Sequence, residues 1–291
     1  MNAPHIIFDR ELLRARQRRA AAKGAEKFLI ERTTGELFER LGTIARKFPR
    51  AALIETPGAD ALKQLLLAPG QIEAIDILCI EGENETVGGE AASYDLAISL
   101  LSMQWLNDLP GALAQMKRLL KPDGLLLAAI TGGDTLTELR DAMASAEGEI
   151  EGGLSPRVSP FVEVRMLGGL LQRAGLALAV TDVDRITARY ANALELMRDL
   201  RRMGATNALA ERSRKPLRRA TLLRAAEIYR ERYADADGRV RATFEILWLS
   251  GWAPHESQQQ PLRPGSAKAR LADALRAIEV PAGEKTGPKK N

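Results

Sequence analysis

Five short stretches hold residue types that could bind a nucleotide-like ligand or assist a group transfer. "LIETPGAD" (53–60) runs from an apolar strand-like start through a turn into a helix-like stretch. A helix that begins after such a turn offers free backbone N–H groups and a positive dipole end to a polar ligand. Glu55, Gly58 and Asp60 stand at that turn. Glycine lets a ligand approach the backbone, yet Gly58 is the one glycine here, Pro57 lacks a donor and Glu55 adds negative charge. In "CIEGENET" (79–86), Glu81, Glu83 and Glu85 follow an apolar run; they suit hydrogen bonds from ribose hydroxyls, or a solvated acidic loop. "SLLSMQWLND" (99–108) adds Ser99, Leu100 and Met103 to the candidate binding residues. Trp105 either walls a pocket or packs under the loop, and Asp108 reads as the cap of the next helix. In "ITGGDTL" (130–136), Asp134 caps a helix or faces a substrate. "WAPHES" (252–257) holds His255, one of two histidines. Asp134, Trp105 and His255 are the catalytic candidates. No Ser/His/Asp order or Cys/His pairing points to nucleophilic catalysis.

The elements that must position these residues follow from periodicity. Helical spacing predicts helices over 9–23 and 25–47, with "FPR" ending the second because Pro49 disfavours a helical Phe48. Strand and helix then alternate: strands at 51–55, 74–80, 94–100 and 124–130, helices at 58–68, 109–120 and 134–147. "YDLAISLL" and "GLLLAAI" are apolar nearly throughout, as strands buried on both faces of a parallel sheet are. The segment from Gly58 to Tyr94 is short for a further strand, helix and strand, so one element of the usual winding is expected to be missing. A Gly/Pro/Ser-rich loop follows 147. Then come a helix at 162–174, a strand at 176–184, a charged helical block at 190–233, and a last strand in "RATFEILWLSGW". The expected architecture is α/β, a doubly wound Rossmann-like sheet. Its organisation is N-terminal helices (1–50), a main domain (51–254, with a helical insertion over 190–238) and a tail (255–291). Ligands of such sheets bind beyond the carboxyl ends of the strands, which is where residues 55, 81, 99–103 and 131–134 fall.

Composition narrows the classes. The 291 residues include one cysteine, which excludes a disulfide framework and suits a reducing compartment; Cys79 is expected to be a buried, inert thiol. With so few Cys and His, no metal site is expected. No apolar run is long enough to span a bilayer, and "MNAPHIIFDRELLRARQRRAA" lacks the apolar core of a secretory signal. The net charge is +4, and residues 1–50 hold twelve Lys/Arg against six Asp/Glu. Such a surface can attract nucleic acid or acidic partners. Neither a zinc finger, a helix-turn-helix nor an RNA-binding aromatic motif accompanies it, so a solvated helix face is the favoured reading.

"YDLAISLLSMQWLNDLPGALAQMKRLLKPDG" resembles the half of a class I S-adenosylmethionine-dependent methyltransferase that follows its glycine-rich motif. "IFDRELLRARQRRAA", "EGGLSPRVSPF", "ELMRDLRRMGATNAL", "IYRERYADADGRVRATFEI" and "GWAPHESQQQPLRPGSA" resemble the methyltransferase-fold assembly factors of respiratory complex I. More loosely, the chain is similar to the malonyl-carrier-protein methyltransferases of biotin synthesis. The resemblance implies an antiparallel last strand and a transferase using S-adenosylmethionine at the strand ends. It implies a protein substrate, a complex I subunit modified at arginine, and a bacterial cytoplasmic setting, with membrane association through that partner. Glu55, Pro57 and Ala59 occupy the family's glycine positions, so weak or altered cofactor binding is the expectation. A non-catalytic assembly factor with a degenerate cofactor site is the alternative.

Overall fold

In the computed structural model, residues 6–259, 273 and 276 are described. The chain divides into two units, Met1–His255 and Glu256–Asn291. Of the second only 256–259 and the two isolated positions are described, so most of the tail read from the sequence lies outside the described residues.

In the first unit, β1 (Phe48–Ile54), β2 (Ile72–Leu78), β5 (Tyr94–Leu100), β6 (Leu120–Thr131), β7 (Ala177–Tyr190) and β8 (Val240–Trp252) form a six-stranded sheet, in the order β2-β1-β5-β6-β8-β7. β1 pairs parallel with β2 and β5, and β5 parallel with β6. β8 lies antiparallel between β6 and β7. All seven residues of β5 are buried, which explains its unbroken apolar pattern. Side chains alternate between faces as a pleated strand requires. Leu96, Ile98, Leu125, Leu127 and Trp248 pack on one face, with α2 (Phe28–Gly42) and α3 (Ala59–Leu67). Ala97, Leu126, Ala128, Leu247 and Leu249 pack on the other, with α4 (Leu109–Leu119) and α6 (Val164–Arg173). Each buried Leu or Ile there contributes roughly 1.5–3 kcal/mol. A further cluster joins α5 (Thr137–Ile150), α7 (Ala193–Arg202) and α8 (Arg219–Tyr233) to Ala242 and Phe244 of β8. The first helix, α1 (Arg10–Ala22), follows a short segment in which Phe8 packs with Leu13, Trp105, Ala208 and Leu209.

Several sequence expectations need correction. "FPR" does not merely end a helix but opens β1: Phe48 donates to Gln71 O at 2.8 Å. Pro49 is tolerated because pairing with β5 begins only at Ala51, beyond the residue that cannot donate. α2 accordingly stops at Gly42. β7 continues to Tyr190, past the expected end at 184, and the helical block expected over 190–233 consists of two helices, α7 and α8. β7 was under-read because it is an edge strand with alternating exposure and several charged residues. Between β2 and β5 stands a hairpin, β3 (Ile80–Glu81) with β4 (Thr86–Val87), in place of a helix and a further strand. Cys79 is exposed, not buried.

Candidate functional site

The parallel register brings four chain segments to one edge of the sheet. Ile54 pairs with Leu78, Leu53 with Ile98, and Leu100 with Ala129. Residues 55–58, 79–81, 101–105 and 131–134 therefore emerge side by side. His255 does not join them. β8 runs antiparallel, so its end, Trp252, pairs with Leu125, six residues before the end of β6. The exposed His255 stands just beyond it, at the opposite edge from Glu55.

At the end of β1, Glu55 is left-handed, with φ of 42°. The Thr56 hydroxyl donates to Ile54 O and accepts from Leu100 N, both at 3.1 Å, closing the β1–β5 junction. Gly58 adopts φ of 69° and caps α3 through backbone geometry alone. A Cβ there would meet nothing within 4 Å, so the loop is open at this position. Asp60 is exposed in the first turn of α3.

Glu85 stands apart from its neighbours. Glu81 and Glu83 are exposed on the hairpin, whereas Glu85 is 2% exposed with φ of 50°. Its carboxylate accepts from Asn107 N at 2.9 Å and Asp108 N at 2.7 Å. It also accepts from Arg10 Nη1 at 3.1 Å, while Arg10 Nη2 donates to Glu55 Oε1 at 3.0 Å and to Ile80 O at 3.4 Å. Glu55 Oε2 accepts from Ile80 N at 2.9 Å. Arg14 also donates to Ile80 O and lies 3.7 Å from Glu55. One guanidinium thus bridges the carboxylates that follow β1 and β3, a forked geometry to which arginine is suited.

The segment bearing Arg10 is fixed on both sides. Asn107 Oδ1 accepts from Ile7 N and Phe8 N, each at 2.8 Å. Asp9 caps α1 through Leu12 N at 3.0 Å and binds Arg212 at 3.1 Å. The Leu12 hydrogen bond, then the Arg212 partnership, hold its carboxyl below the ordinary range against the opposing effect of burial. Trp105 is buried beneath the loop, edge-on to Phe8 (centroids 5.6 Å apart) and to Phe161 (6.2 Å). Asp108 accepts from Gly111 N at 2.8 Å as the expected cap of α4.

Ser99, Leu100 and Met103 are essentially fully buried, and the Ser99 and Ser102 hydroxyls lie 3.2 Å apart. Asp134 is not the cap of α5. That place belongs to Leu136, at φ of 57° with no side-chain cap. The Asp134 carboxylate instead pairs with Arg185 of β7, which also reaches Glu245 at 3.1 Å. Two buried polar atoms at this edge, Thr131 Oγ1 and Gln104 Oε1, have no hydrogen-bond partner. Such groups normally find one. Among the described residues no cluster suits a metal ion.

With α1 in place, the residues at the β1 and β2 ends do not fit S-adenosylmethionine. The Arg10 and Arg14 guanidiniums take up Glu55 and Ile80 O, Glu55 Oε2 also accepts from Ile80 N, and Pro57 offers no N–H. The sequence candidates at 55–60, 81–85, 99–103 and 134 gather at one edge of the sheet, but Arg10 is not among them and the sequence does not separate Glu85 from Glu81 and Glu83. No local signal could have done so, since Arg10 and Glu85 are 75 positions apart.

Parallel strands flanked by helices, with an antiparallel β8 slotted between β6 and β7, define a methyltransferase-type Rossmann-like fold. A family model described as "Methyltransferase domain" matches residues 45–128. The arginine-hydroxylase NDUFAF5, mitochondrial, of Danio rerio is 37% identical over 286 residues, 92% of this chain and 89% of that protein. The Homo sapiens protein of the same name is 39% identical over 92% of this chain and 83% of its own. The malonyl-[acyl-carrier protein] O-methyltransferase of Laribacter hongkongensis is 38% identical over 77% of this chain and 75% of that enzyme. The chain belongs to the methyltransferase-fold family of the arginine-hydroxylase NDUFAF5.

Proposed function

We propose that this protein is a maturation factor of respiratory complex I that modifies an arginine of a complex I subunit, with S-adenosylmethionine the cofactor class its fold family suggests and the ends of β5 and β6, rather than those of β1 and β2, the place open to it. The observation that carries this reading is the match along nearly the whole length of proteins named for arginine hydroxylation. The unpartnered Thr131 hydroxyl and Gln104 carbonyl support a polar ligand at the ends of β5 and β6. No helix among the described residues is long and apolar enough to cross a membrane, so contact with a membrane-bound complex is made through the partner. The reducing bacterial cytoplasm is the setting proposed.

A nucleic-acid role is not favoured. Arg10, Arg14, Arg32, Arg40, Arg46 and Arg50, half of the basic residues of the N-terminal fifty, all pair with carboxylates of this chain.

The test is peptide mass spectrometry of complex I purified from hosts with and without the gene. The expected result is an arginine carrying one added oxygen or one added methyl group that vanishes on deletion, together with lower complex I content. Unaltered complex I with an unaltered arginine set would sink the proposal. The ion-paired state of Glu55 favours one second reading, a non-catalytic assembly factor. That reading predicts complex I loss on deletion with no arginine changed.

A further inference from the structure

Three segments far apart in sequence close round a cavity of about 420 Å³, a size that suits a side chain or small ligand. Ile6 and Ile7 line it from the segment before α1, Pro156, Val158 and Pro160 from the loop between α5 and α6, and Leu209 from the segment after α7. Hydrogen bonds clamp these walls together. Ala210 N donates to Ile7 O and Asp9 N to Ala208 O, both at 2.8 Å. Asn207 Nδ2 donates to Pro156 O at 2.7 Å, and Arg140 Nη2 to Ser159 O at 3.2 Å. The cavity is therefore formed by the chain itself. It adjoins the ends of β5 and β6. Trp105 packs edge-on against Phe8 and Phe161, whose neighbours Ile7 and Pro160 line the cavity. Val162 bridges Gly132, the residue after Thr131 with its unpartnered hydroxyl.

Two charges complete the lining, Arg140 and Glu211. They do not pair with each other. Among the described residues the one hydrogen-bond partner of Arg140 is Ser159 O, and the exposed Glu211 has neither a hydrogen bond nor an ion pair. The arginines nearest to Glu211 in sequence and across the cavity loop are committed elsewhere, Arg212 to Asp9 and Arg157 to Glu147. A carboxylate at the rim of an apolar cavity suits a cation carried on an apolar stem. Arginine has that form: its methylenes lie along apolar surface and its planar fork matches a carboxylate. The remaining N–H donors of Arg140 suit main-chain carbonyls of an extended peptide.

We propose that this cavity receives the substrate arginine. A segment of the partner protein lies across it, with the arginine stem against Val158 and Leu209, the guanidinium forked on Glu211 and main-chain carbonyls accepting from Arg140. The assignment rests on the arginine reading given under the proposed function and adds to it the residues that select the side chain.

The test has two arms, both on the full chain. In the first, the blocked tripeptides Ac-Ala-Arg-Ala-NH2, Ac-Ala-Lys-Ala-NH2 and Ac-Ala-Glu-Ala-NH2 are titrated in and followed by NMR. The arginine peptide is expected to bind most tightly of the three and to shift the amides of 157–159 and 209–211, and Glu211→Gln to weaken it by about fivefold. In the second, hosts lacking the gene receive the unaltered protein, Glu211→Asp, Glu211→Gln or Glu211→Lys, and mass spectrometry reads the modified fraction of the complex I arginine. That fraction is expected to fall in the order given, to nothing with Glu211→Lys. Full modification by Glu211→Lys, or an arginine peptide that leaves the cavity amides unshifted, overturns the assignment alone. So does tightest binding of the glutamate peptide, lost in Arg140→Gln, which gives the cavity to an acidic ligand. An arginine left unmodified by the unaltered protein overturns the proposed function, and the assignment with it.

Discussion

Thr56 and Leu100 are joined by a buried hydrogen bond of 3.1 Å, from the Leu100 amide to the Thr56 hydroxyl. The bond crosses from the turn after β1 to the last residue of β5, and the same hydroxyl donates back to Ile54 O. Thr56→Val keeps the shape and leaves the Leu100 N–H unsatisfied. Urea denaturation is expected to show a loss of about 1–3 kcal/mol. Thr56→Ser is expected to retain most of the stability. An unchanged midpoint for Thr56→Val would contradict this account.

Glu85 ties three segments together, through Arg10, Asn107 N and Asp108 N. Glu85→Ala leaves a largely buried guanidinium short of a partner and two amides at the start of α4 unpaired. Removing one partner of such a pair costs about 3–5 kcal/mol. Glu83→Ala, on the exposed part of the same hairpin, is expected to change stability by less than about 0.5 kcal/mol. Thermal melts of the two variants side by side provide the comparison.

Two glycines should respond differently to alanine. A Cβ on Gly132 would lie 2.3 Å from Glu245 Oε1 and 2.7 Å from Leu247 Cγ. Gly132→Ala must push β8 away or re-aim Glu245, at a cost of about 1–3 kcal/mol. Gly58→Ala meets no atom but is forced into a left-handed backbone, costing roughly 1–2 kcal/mol. Only the Gly132 variant should disturb the amide signals of β8 in an NMR spectrum.

Asp141 and Tyr233 link α5 to α8 through a 2.7 Å hydrogen bond, with Arg232 also on the carboxylate at 2.7 Å. The Tyr233 hydrogen bond, then that of Arg232, lower the Asp141 pKa. Its stabilisation is therefore present above the unfolded carboxyl value and lost as pH falls through the lower folded one. Burial first, then the bond to Asp141, pushes Tyr233 from 10.0 up to about 12. Its contribution is complete below 10.0 and lost as pH rises towards about 12. Tyr233→Phe should abolish this alkaline loss and raise the Asp141 pKa. An ultraviolet titration of the phenols and an NMR titration of the carboxylate measure the two effects.

The sheet core was legible because β5 and β6 are buried on both faces, leaving runs such as 94–100 with no competing reading. The edge strand β7 was half legible: Asp182 and Asp184 pair with Arg40 and Arg32 of α2, so its polar positions read as a strand's end. Asp134 looked like a cap because a helix follows it closely. A turn from Gly132 to Thr135 intervenes, and its side chain goes to Arg185 instead. The strand-end positions of the site followed from the alternation of elements. Their electrostatics did not, because a contact such as Arg10 with Glu55 depends on tertiary closure rather than on local pattern. His255 was misplaced for a related reason: nearness to a strand end says nothing about which edge of the sheet that end occupies.

The middle slot of β8 sets a condition on biosynthesis. Until the ribosome has delivered Val240–Trp252, the flank of β6 from Leu125 to Thr131 has no neighbour, and β7 has nothing to pair with. A nascent chain therefore carries two unpaired strand flanks, that of β6 apolar, while α7 and α8 are being made. Such flanks are templates for pairing with another polypeptide. A chain cut short before Val240 would lose more than a strand: it would emerge as a sticky, incomplete sheet, dependent on chaperones for its solubility.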